Sequence, residues 1–199
     1  MALLGRDTTV TGPLPDGMLL LESLTGTEAL GVPYLYSIVL LSENPNIDAD
    51  AVLGQPVAAG IKLNNGGERF FHGIVTEFDK TGTTRLHTRY AAKLRPTLHL
   101  FDYTSDCRIF NQANQDAVDI VTEVLAARGL ADVESGSIKD HPFIEREYCV
   151  QYRESDLKFV QRLLEEEGIY YFHRHEKTKH TLVMADSVVP HKTPMATRA

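Results

Sequence analysis

The chain has 199 residues and a formal net charge of -7. This length suits one large or two small domains, and the acidic balance disfavours nucleic acid as the main partner, because phosphate binding needs a clustered positive field. No run of about 18 apolar residues occurs, so we expect no membrane-spanning segment. The two cysteines, Cys107 and Cys149, form no CxxC pair, and we expect neither a disulfide framework nor a thiolate zinc site.

The first half of the chain is predicted to be a succession of antiparallel strands, as in a barrel or a sandwich. Residues 9–17 are predicted to be a tail ending in a turn. The predicted strands cover residues 18–24, 34–41, 56–63, 68–78 and 84–95. Residues 26–33 are predicted to break the first strand, and residues 81–83 to form a turn. Residues 64–67 (NNGG) are a strong hairpin signal, because Asn and Gly tolerate positive φ.

Two of these strands have distinctive faces. Residues 84–95 alternate, with one apolar set predicted on the dry face: Leu86, Thr88, Tyr90, Ala92 and Leu94. Residues 34–41 are instead aromatic, β-branched and apolar on both faces. That pattern indicates a strand covered on both sides, by core or by a partner subunit.

The second half of the chain is predicted to be mixed. Asn114 is predicted to cap a helix over residues 115–128, which ends at Gly129. Ser155 is predicted to cap a second helix that ends at Gly168. A polar loop (133–141), a short strand (147–152), a hairpin (169–175 and 180–185) and a tail (186–199) complete the predicted elements.

Charges at the ends of the second helix have opposite effects. Asp156 complements the positive N-terminal end of the helix dipole. Residues 165–167 are three glutamates at the negative end, which costs a few tenths of a kcal/mol per exposed charge. A basic neighbour would offset that cost.

Three histidines form the one metal-like constellation in the sequence. His173 and His175 share a strand face, and His180 opens the next strand after a four-residue turn. Converging imidazoles would suit zinc or copper in a metal-dependent hydrolase. The alternative, a solvated strand face without metal, is favoured, and we expect no cofactor. The segment from His175 to His180 is not HExxH, because its second histidine comes five residues on in a non-helical segment.

Other catalytic signals are weak. Glu154, Asp156 and residues 165–167 are interpreted as solvated helix-end charges rather than an acid/base pair. The basic strand face of Arg85, Arg89, Lys93 and Arg95 lacks the interleaved aromatics that stack on bases. The sequence contains no phosphate-binding glycine loop and no GxSxG elbow. From the residues alone we expect a non-enzymatic α+β interaction protein.

Six blocks, in order, resemble the N-terminal region of VgrG-type spike proteins of type VI secretion. They are residues 26–31 (GTEALG) with 34–42, 53–57 (LGQPV), 71–78 (FHGIVTEF), 90–100 (YAAKLRPTLHL), 107–110 (CRIF) and 146–172 (REYCVQYRESDLKFVQRLLEEEGIYYF). The resemblance covers about residues 17–186. His99 departs from it, since an aromatic is expected there, and residues 111–114 form a slightly longer segment than usual.

The resemblance implies a β-rich α+β fold like that of contractile phage tail hubs. Residues 1–95 would supply strands of an antiparallel β-barrel, residues 96–190 an inserted α/β domain with two helices, and residues 191–199 a tail. The barrel would be incomplete, because family members return to it later in the chain and then continue into a needle.

The resemblance also implies function and partners. VgrG proteins are homotrimers that cap a tube of hexameric Hcp rings, contact baseplate proteins, and carry effectors or adaptors into a target cell without a signal peptide, starting from the cytoplasm. We therefore expect a structural spike component and not an enzyme. The alternatives are a phage or phage-like tail baseplate hub and an orphan N-terminal remnant. The expected trimer interface is Tyr34, Tyr36, Ile38 and Leu40, on the strand that is apolar on both faces.

Overall fold

A computed structural model describes residues 7–64, 66–139, 142 and 144–187. The fold is β-rich α+β, as predicted, and its first half is a six-stranded antiparallel sheet with the order β1-β4-β5-β6-β3-β2. The strands are β1 (Thr8–Thr11), β2 (Leu20–Ala29), β3 (Val32–Ser42), β4 (Pro56–Lys62), β5 (Glu68–Thr83) and β6 (Thr88–Arg95). The sheet is curled into a half-barrel, so that its two edge strands, β1 and β2, approach each other.

Irregular pairing accompanies this curl. The register between β2 and β3 shifts at residues 21–23 and 27–29, and that between β5 and β6 shifts at residues 75–77 and 80–82. Such bulges bend a strand and increase its local twist. They divide the long strands into segments that wrap around one core.

The described residues of the second half form two α-helices, a 3-10 helix and five short strands. The elements are a 3-10 helix (Thr97–Tyr103), β7 (Ser105–Phe110), α1 (Ala117–Ala127), β8 (Val133–Ser137), β9 (Cys149–Ser155), α2 (Asp156–Glu166), β10 (Tyr170–His175) and β11 (His180–Ala185). β10, β11 and β8 form one sheet, with β8 parallel to β11, and β7 pairs with β9. None of the helices in the described ranges is long and apolar enough to cross a membrane.

The residues that the structure describes form two hydrophobic cores. One is built from side chains of residues 19–94, inside the curled sheet. The other is built from residues 98–184, where α1 and α2 pack against the 3-10 helix and the small sheets. The apolar side chains of both helices point into this second core, since Val121, Val124, Val160 and Leu163 are fully buried.

Several predicted boundaries were wrong, for physical reasons. α1 is capped by Asp116, whose carboxylate accepts the N–H of Asp119 while Asp119 reciprocates, so Asn114 is not the cap. Asn114 instead lies at φ 61° and donates its N–H to Glu145. A capping box satisfies two free helix donors at once, which favours Asp116.

The observed strand limits differ from the predicted ones because the sequence does not show which distant segments pair. The predicted tail contains β1, and the segment expected to break the first strand is the rest of β2 and a tight turn at Gly31 (φ +70°). β5 continues through the expected turn at residues 81–83, so Leu86 falls in the connection to β6 and is 76% exposed. β8 occupies part of the expected polar loop because β11 offers it a parallel edge.

The helix-end charges are more fully paired than expected. The side chain of Asp156 is completely buried, and its two oxygens accept from Arg108, Arg128, Gln151 and Thr104. At the other end of α2, Arg146 pairs with Glu166 and Glu167 and so offsets the cost of acidic residues at the negative end of the helix dipole. Residues 188–199 of the predicted tail lie outside the described residues.

Candidate functional site

The four side chains expected at a trimer interface lie in the core of this chain. Tyr34, Tyr36, Ile38 and Leu40 are each only 1–2% exposed, and all four point into the curled sheet. Because β3 alternates, these residues occupy the inner face, which the chain covers by itself. No partner can reach their side chains in this conformation. Which surface a trimer uses stays a prediction.

The outer face of β3 carries the strand's other apolar residues. Leu35, Val39 and Leu41 are half-buried on the outside of the sheet, and Ser37 is exposed between them. Val39 lies opposite Ala91 of β6 and Ser23 of β2. Small neighbours leave the valine side chain open to solvent. Alternation in the sequence separates the residues of β3 into these two faces. Only the curl of the six-stranded sheet shows which face lies inside.

The two edges of the half-barrel border a slot. It has a volume of about 280 Å³ and lies between β1 and the start of β2. Edge strands present unpaired N–H and C=O groups that can pair with an added strand. The slot therefore separates two edge strands that the sheet does not pair with each other.

The three predicted histidines do come together, and a fourth joins them. The favoured interpretation as a solvated strand face was wrong, because His180 is only 6% exposed and His173 Nε2 is inaccessible to solvent. His173, His175 and His180, from the β10–β11 hairpin, pack around Tyr34, with ring centroids 4.9, 4.8 and 5.9 Å from the Tyr34 ring. His72 of β5 lies on the other side, its Nδ1 2.9 Å from Nδ1 of His180. The sequence signal for the burial of His72 is its position inside the apolar segment 70–75.

These histidines join the two halves of the molecule. His175 Nε2 lies 3.0 Å from the Tyr36 hydroxyl, and the backbone N–H of His72 donates to His175 Nδ1. His180 Nε2 accepts the backbone N–H of Thr97 at 3.0 Å. Within the described ranges, no group of three or more His, Cys, Asp or Glu side chains is arranged to hold a metal ion. The metal-dependent hydrolase therefore has no site to support it there.

Several members of the basic and acidic sets form local ion pairs. Arg89 donates to Glu22, and Lys93 pairs with Glu77 at 2.7 Å, so the outer face of β6 offers a mixed surface and no continuous basic track. Arg162 bridges Glu154 and Glu166. Exposed pairs of this kind contribute about 0–1 kcal/mol each, and they argue against a phosphate-binding or catalytic interpretation.

Comparison with known protein families gives one match over most of the chain. Residues 27–198 match the family described as phage tail baseplate hub (GPD). A type VI secretion system spike protein from Pseudomonas aeruginosa, VgrG1b, is 42% identical over 95% of this chain and 25% of its own length. VgrG1a of the same organism is 41% identical over 96% of this chain and 29% of its own length. The chain thus spans about a quarter of these relatives.

Two further comparisons bear on fold and chemistry. The E. coli c3393 protein, described as a type VI secretion component with structural similarity to the T4 bacteriophage tail proteins gp27 and gp5, superimposes with a TM-score of 0.75 at 25% identity, over 96% of this chain and 50% of that one. The Vibrio cholerae protein named actin cross-linking toxin VgrG1 is 31% identical over 94% of this chain, but this region is only 17% of the toxin.

Proposed function

The chain belongs to the phage tail baseplate hub (GPD) family, and from this membership we propose that it is part of the trimeric platform of a type VI secretion spike. Such a platform caps a tube of Hcp rings and helps deliver effectors into a target cell. The observation that carries the proposal is 42% identity to a named spike protein over 95% of the chain. The superposition on the c3393 protein supports it independently.

The proposed mechanism is mechanical. Three copies of the half-barrel would form a ring whose symmetry matches that of the tube, and the compact second half would stiffen its rim. Contraction of a surrounding sheath would then push tube and spike together. The work required of the chain is to stay folded and to bind its neighbours, for which two well-packed cores suffice.

The partners follow from this position in the machine. We propose self-association as a trimer, contact with Hcp hexamers and baseplate proteins, and carriage of an effector or adaptor. The protein would assemble in the cytoplasm and leave the cell on firing. We propose no catalysis for this region: the region shared with the actin cross-linking toxin is a small part of that protein.

We place the trimer contact on the outer face of β3. Leu35, Val39 and Leu41 form an apolar strip there, and isolated subunits rarely leave such strips uncovered. Val39→Glu would bury an uncompensated charge in the trimer, while in the monomer the new carboxylate stays hydrated. We expect trimer affinity to fall by at least about 10-fold.

Two variants control this test. Leu86→Glu places the same charge on an exposed connection and should leave the trimer intact. Ile38→Glu places it in the core and should unfold the chain. Circular dichroism checks folding, and light scattering gives the assembly state. A folded Val39→Glu variant that still forms trimers would refute the contact.

A phage-type tail baseplate hub is the second candidate, favoured by the family description itself. The two functions differ in the tube that the platform binds. Binding to Hcp rings but not to a phage tail-tube protein would support the secretion spike, and the reverse would support the phage hub. Genes for Hcp and sheath proteins next to the gene for this chain would independently support the secretion spike. Neighbouring genes for capsid and portal proteins would support the phage hub.

A further inference from the structure

Four histidines line the contact between the β10–β11 hairpin and the six-stranded sheet. We call His72, His173, His175 and His180 the histidine clasp. Three come from the hairpin and one from β5, so the clasp bridges the two cores. Tyr34 and Tyr36 of β3 complete the contact, the first donating its hydroxyl to the carbonyl of His72 at 2.7 Å.

The hydrogen bonds at the centre of the clasp require neutral rings. The backbone N–H of Thr97 can only donate, so His180 Nε2 must be unprotonated. The proton of neutral His180 is then on Nδ1, which donates to His72 Nδ1 at 2.9 Å. His72 Nδ1 is therefore unprotonated as well. A second proton on His180 would oppose the N–H of Thr97, and one on His72 Nδ1 would oppose the N–H of His180.

The surroundings of the other two rings offer a positive charge little stabilisation. His173 Nε2 is inaccessible to solvent and has no hydrogen-bond partner among the described residues. His175 Nε2 lies beside the Tyr36 hydroxyl, which already donates to Glu28 at 2.5 Å, and only the carbonyl of His72, 3.2 Å from His175 Nδ1, could accept a second proton of this ring. The His173 and His180 rings meet edge to face with centroids 5.9 Å apart, so charging both would add repulsion.

Charged groups around the clasp do not compensate. Glu28 of β2 faces His175, but it is half-exposed, accepts the Tyr36 hydroxyl and lies 3.9 Å from Arg69. Asp132, before β8, faces His72 and His180, but it pairs with Lys179 at 3.0 Å. Each carboxylate already has a cation, so a charged histidine would gain little from either.

Burial accordingly lowers the pKa of every ring in the clasp. It lowers the pKa of His173 and of His180 to about 3, helped by the neighbouring histidines, and that of His175 to about 4. Burial also lowers the pKa of His72, although a hydrogen bond with the backbone of Thr178 opposes the shift. Released from the contact, each ring returns to an ordinary value of about 6.5.

We propose that the histidine clasp is an acid-sensitive device that holds the β10–β11 hairpin on the sheet near neutral pH and releases it in mild acid. The sign follows from linkage. At a pH between the lowered histidine pKa values of the closed form and the ordinary value of about 6.5, the open form binds more protons than the closed form. Closure is therefore fully favoured above about pH 6.5 and weakens as the pH falls. Each released histidine shifts the equilibrium by up to about 10-fold per pH unit.

A second contact sets how far the hairpin moves. The N–H of Gly31 donates to the carbonyl of Tyr171, and Gln161 donates to the carbonyl of Gly31. Neither bond involves a group that titrates in this range. The start of β10 thus stays attached to the β2–β3 turn, and the opening is confined to about residues 173–180, the segment that carries three of the rings.

Hydrogen exchange followed by mass spectrometry between pH 7.5 and 5 tests the proposal on the whole chain. After correction for the intrinsic pH dependence, opening of residues 173–180 and of residues 71–73 should increase as the pH falls. The slope should correspond to uptake of roughly two or more protons. Exchange in α1 and α2 should not change, because neither helix contains a histidine. Uniform acceleration across the chain, or no slope in the hairpin, would overturn the proposal.

Matched variants and ring titrations distinguish the clasp from general acid denaturation. His180→Gln keeps an acceptor for Thr97 and should lower the proton uptake by about one, whereas His87→Gln, in the β5–β6 connection, should leave it unchanged. Proton NMR can follow the titration of the clasp rings directly in the wild-type chain. Clasp rings that titrate near 6.5 while the hairpin stays protected would also overturn the proposal.

Discussion

Replacing the buried carboxylate of Asp156 should destabilise the second core strongly. Each of its oxygens accepts two donors: Oδ2 accepts from Thr104 and Arg128, both at 2.7 Å, and Oδ1 accepts from Gln151 at 2.8 Å and from Arg108. Asp156→Asn keeps the shape and replaces one oxygen by an amide nitrogen that can only donate. Two of the four donors then lose their acceptor, and two guanidinium groups lose their shared anion.

The expected cost is about 3–5 kcal/mol, the usual range for removing one partner of a buried ion pair. The lower end applies, because the side chains of Arg108 and Arg128 are 23% and 34% exposed and water can hydrate them in the variant. A domain of this size is stable by about 5–15 kcal/mol. The variant should therefore fold, and its midpoint of chemical denaturation should be clearly lower than that of the wild type.

Chemical denaturation at pH 7 measures the effect, and Asp106→Asn is the matched control. The carboxylate of Asp106 lies 3.6 Å from the same two arginines but is 43% exposed, so its loss should cost below about 1 kcal/mol. Equal and small effects of the two substitutions would refute the reasoning, because they would mean that burial of Asp156 adds nothing to its pairing.

The pH dependence of the same variant gives a second check. Burial alone would raise the pKa of Asp156, but hydrogen bonds from Gln151, Thr104 and Arg128 hold it below its ordinary value. Its contribution to stability is therefore present above the ordinary carboxyl pKa of about 3.9 and is lost as the pH falls through the lowered value. The stability difference between wild type and variant should be constant from pH 7 to 5, the window in which the histidine clasp opens.

Two further substitutions test local packing and pairing. Gly26→Ala would place a Cβ 2.2 Å from Cδ1 of Tyr36, so we expect a loss of about 1–3 kcal/mol in thermal or chemical unfolding; an unchanged midpoint would mean that the ring moves freely. Arg146→Gln removes the pairs with Glu166 and Glu167 at the negative end of α2 and should cost about 1 kcal/mol at low salt. Adding 0.5 M salt, about a 4 Å screening length, should shrink the arginine effect, and salt-independence would contradict its electrostatic origin.

Local sequence signals predicted the parts of the fold that depend on local chemistry. Ser155 caps α2 as expected, with its hydroxyl accepting the N–H of Lys158. Gly129 and Gly168 end the two helices with φ of +79° and +68°, values that glycine adopts without a Cβ penalty. The return strand of the β10–β11 hairpin was also predicted, because the polar turn that joins the two strands lies within a few residues of both.

Pairing between distant segments was not predictable from such signals. β1 is only four residues long and is stabilised by β4, about 50 positions later in the chain. β8 depends on β11 in the same way. Short strands carry little periodicity of their own, so their existence is decided by an available edge.

The candidate site shows the same division. The sequence indicated that residues 34–41 are covered on both faces, whereas this chain buries only the inner face of β3 and leaves the outer face half-buried, with Ser37 exposed. Alternation alone cannot say which face is inside, and the four residues chosen for the trimer contact are core residues. The three histidines of the hairpin were correctly grouped, but their partner His72 comes from a strand about 100 positions earlier.

The absolute mass of the chain in solution, measured by light scattering with and without Hcp rings, decides whether this region forms the proposed platform. We expect a trimer that joins one ring, and a Val39→Glu variant that remains a folded monomer and does not bind the ring. A wild-type chain that stays monomeric and does not bind the ring at concentrations well above micromolar would contradict the proposal that this region forms the platform.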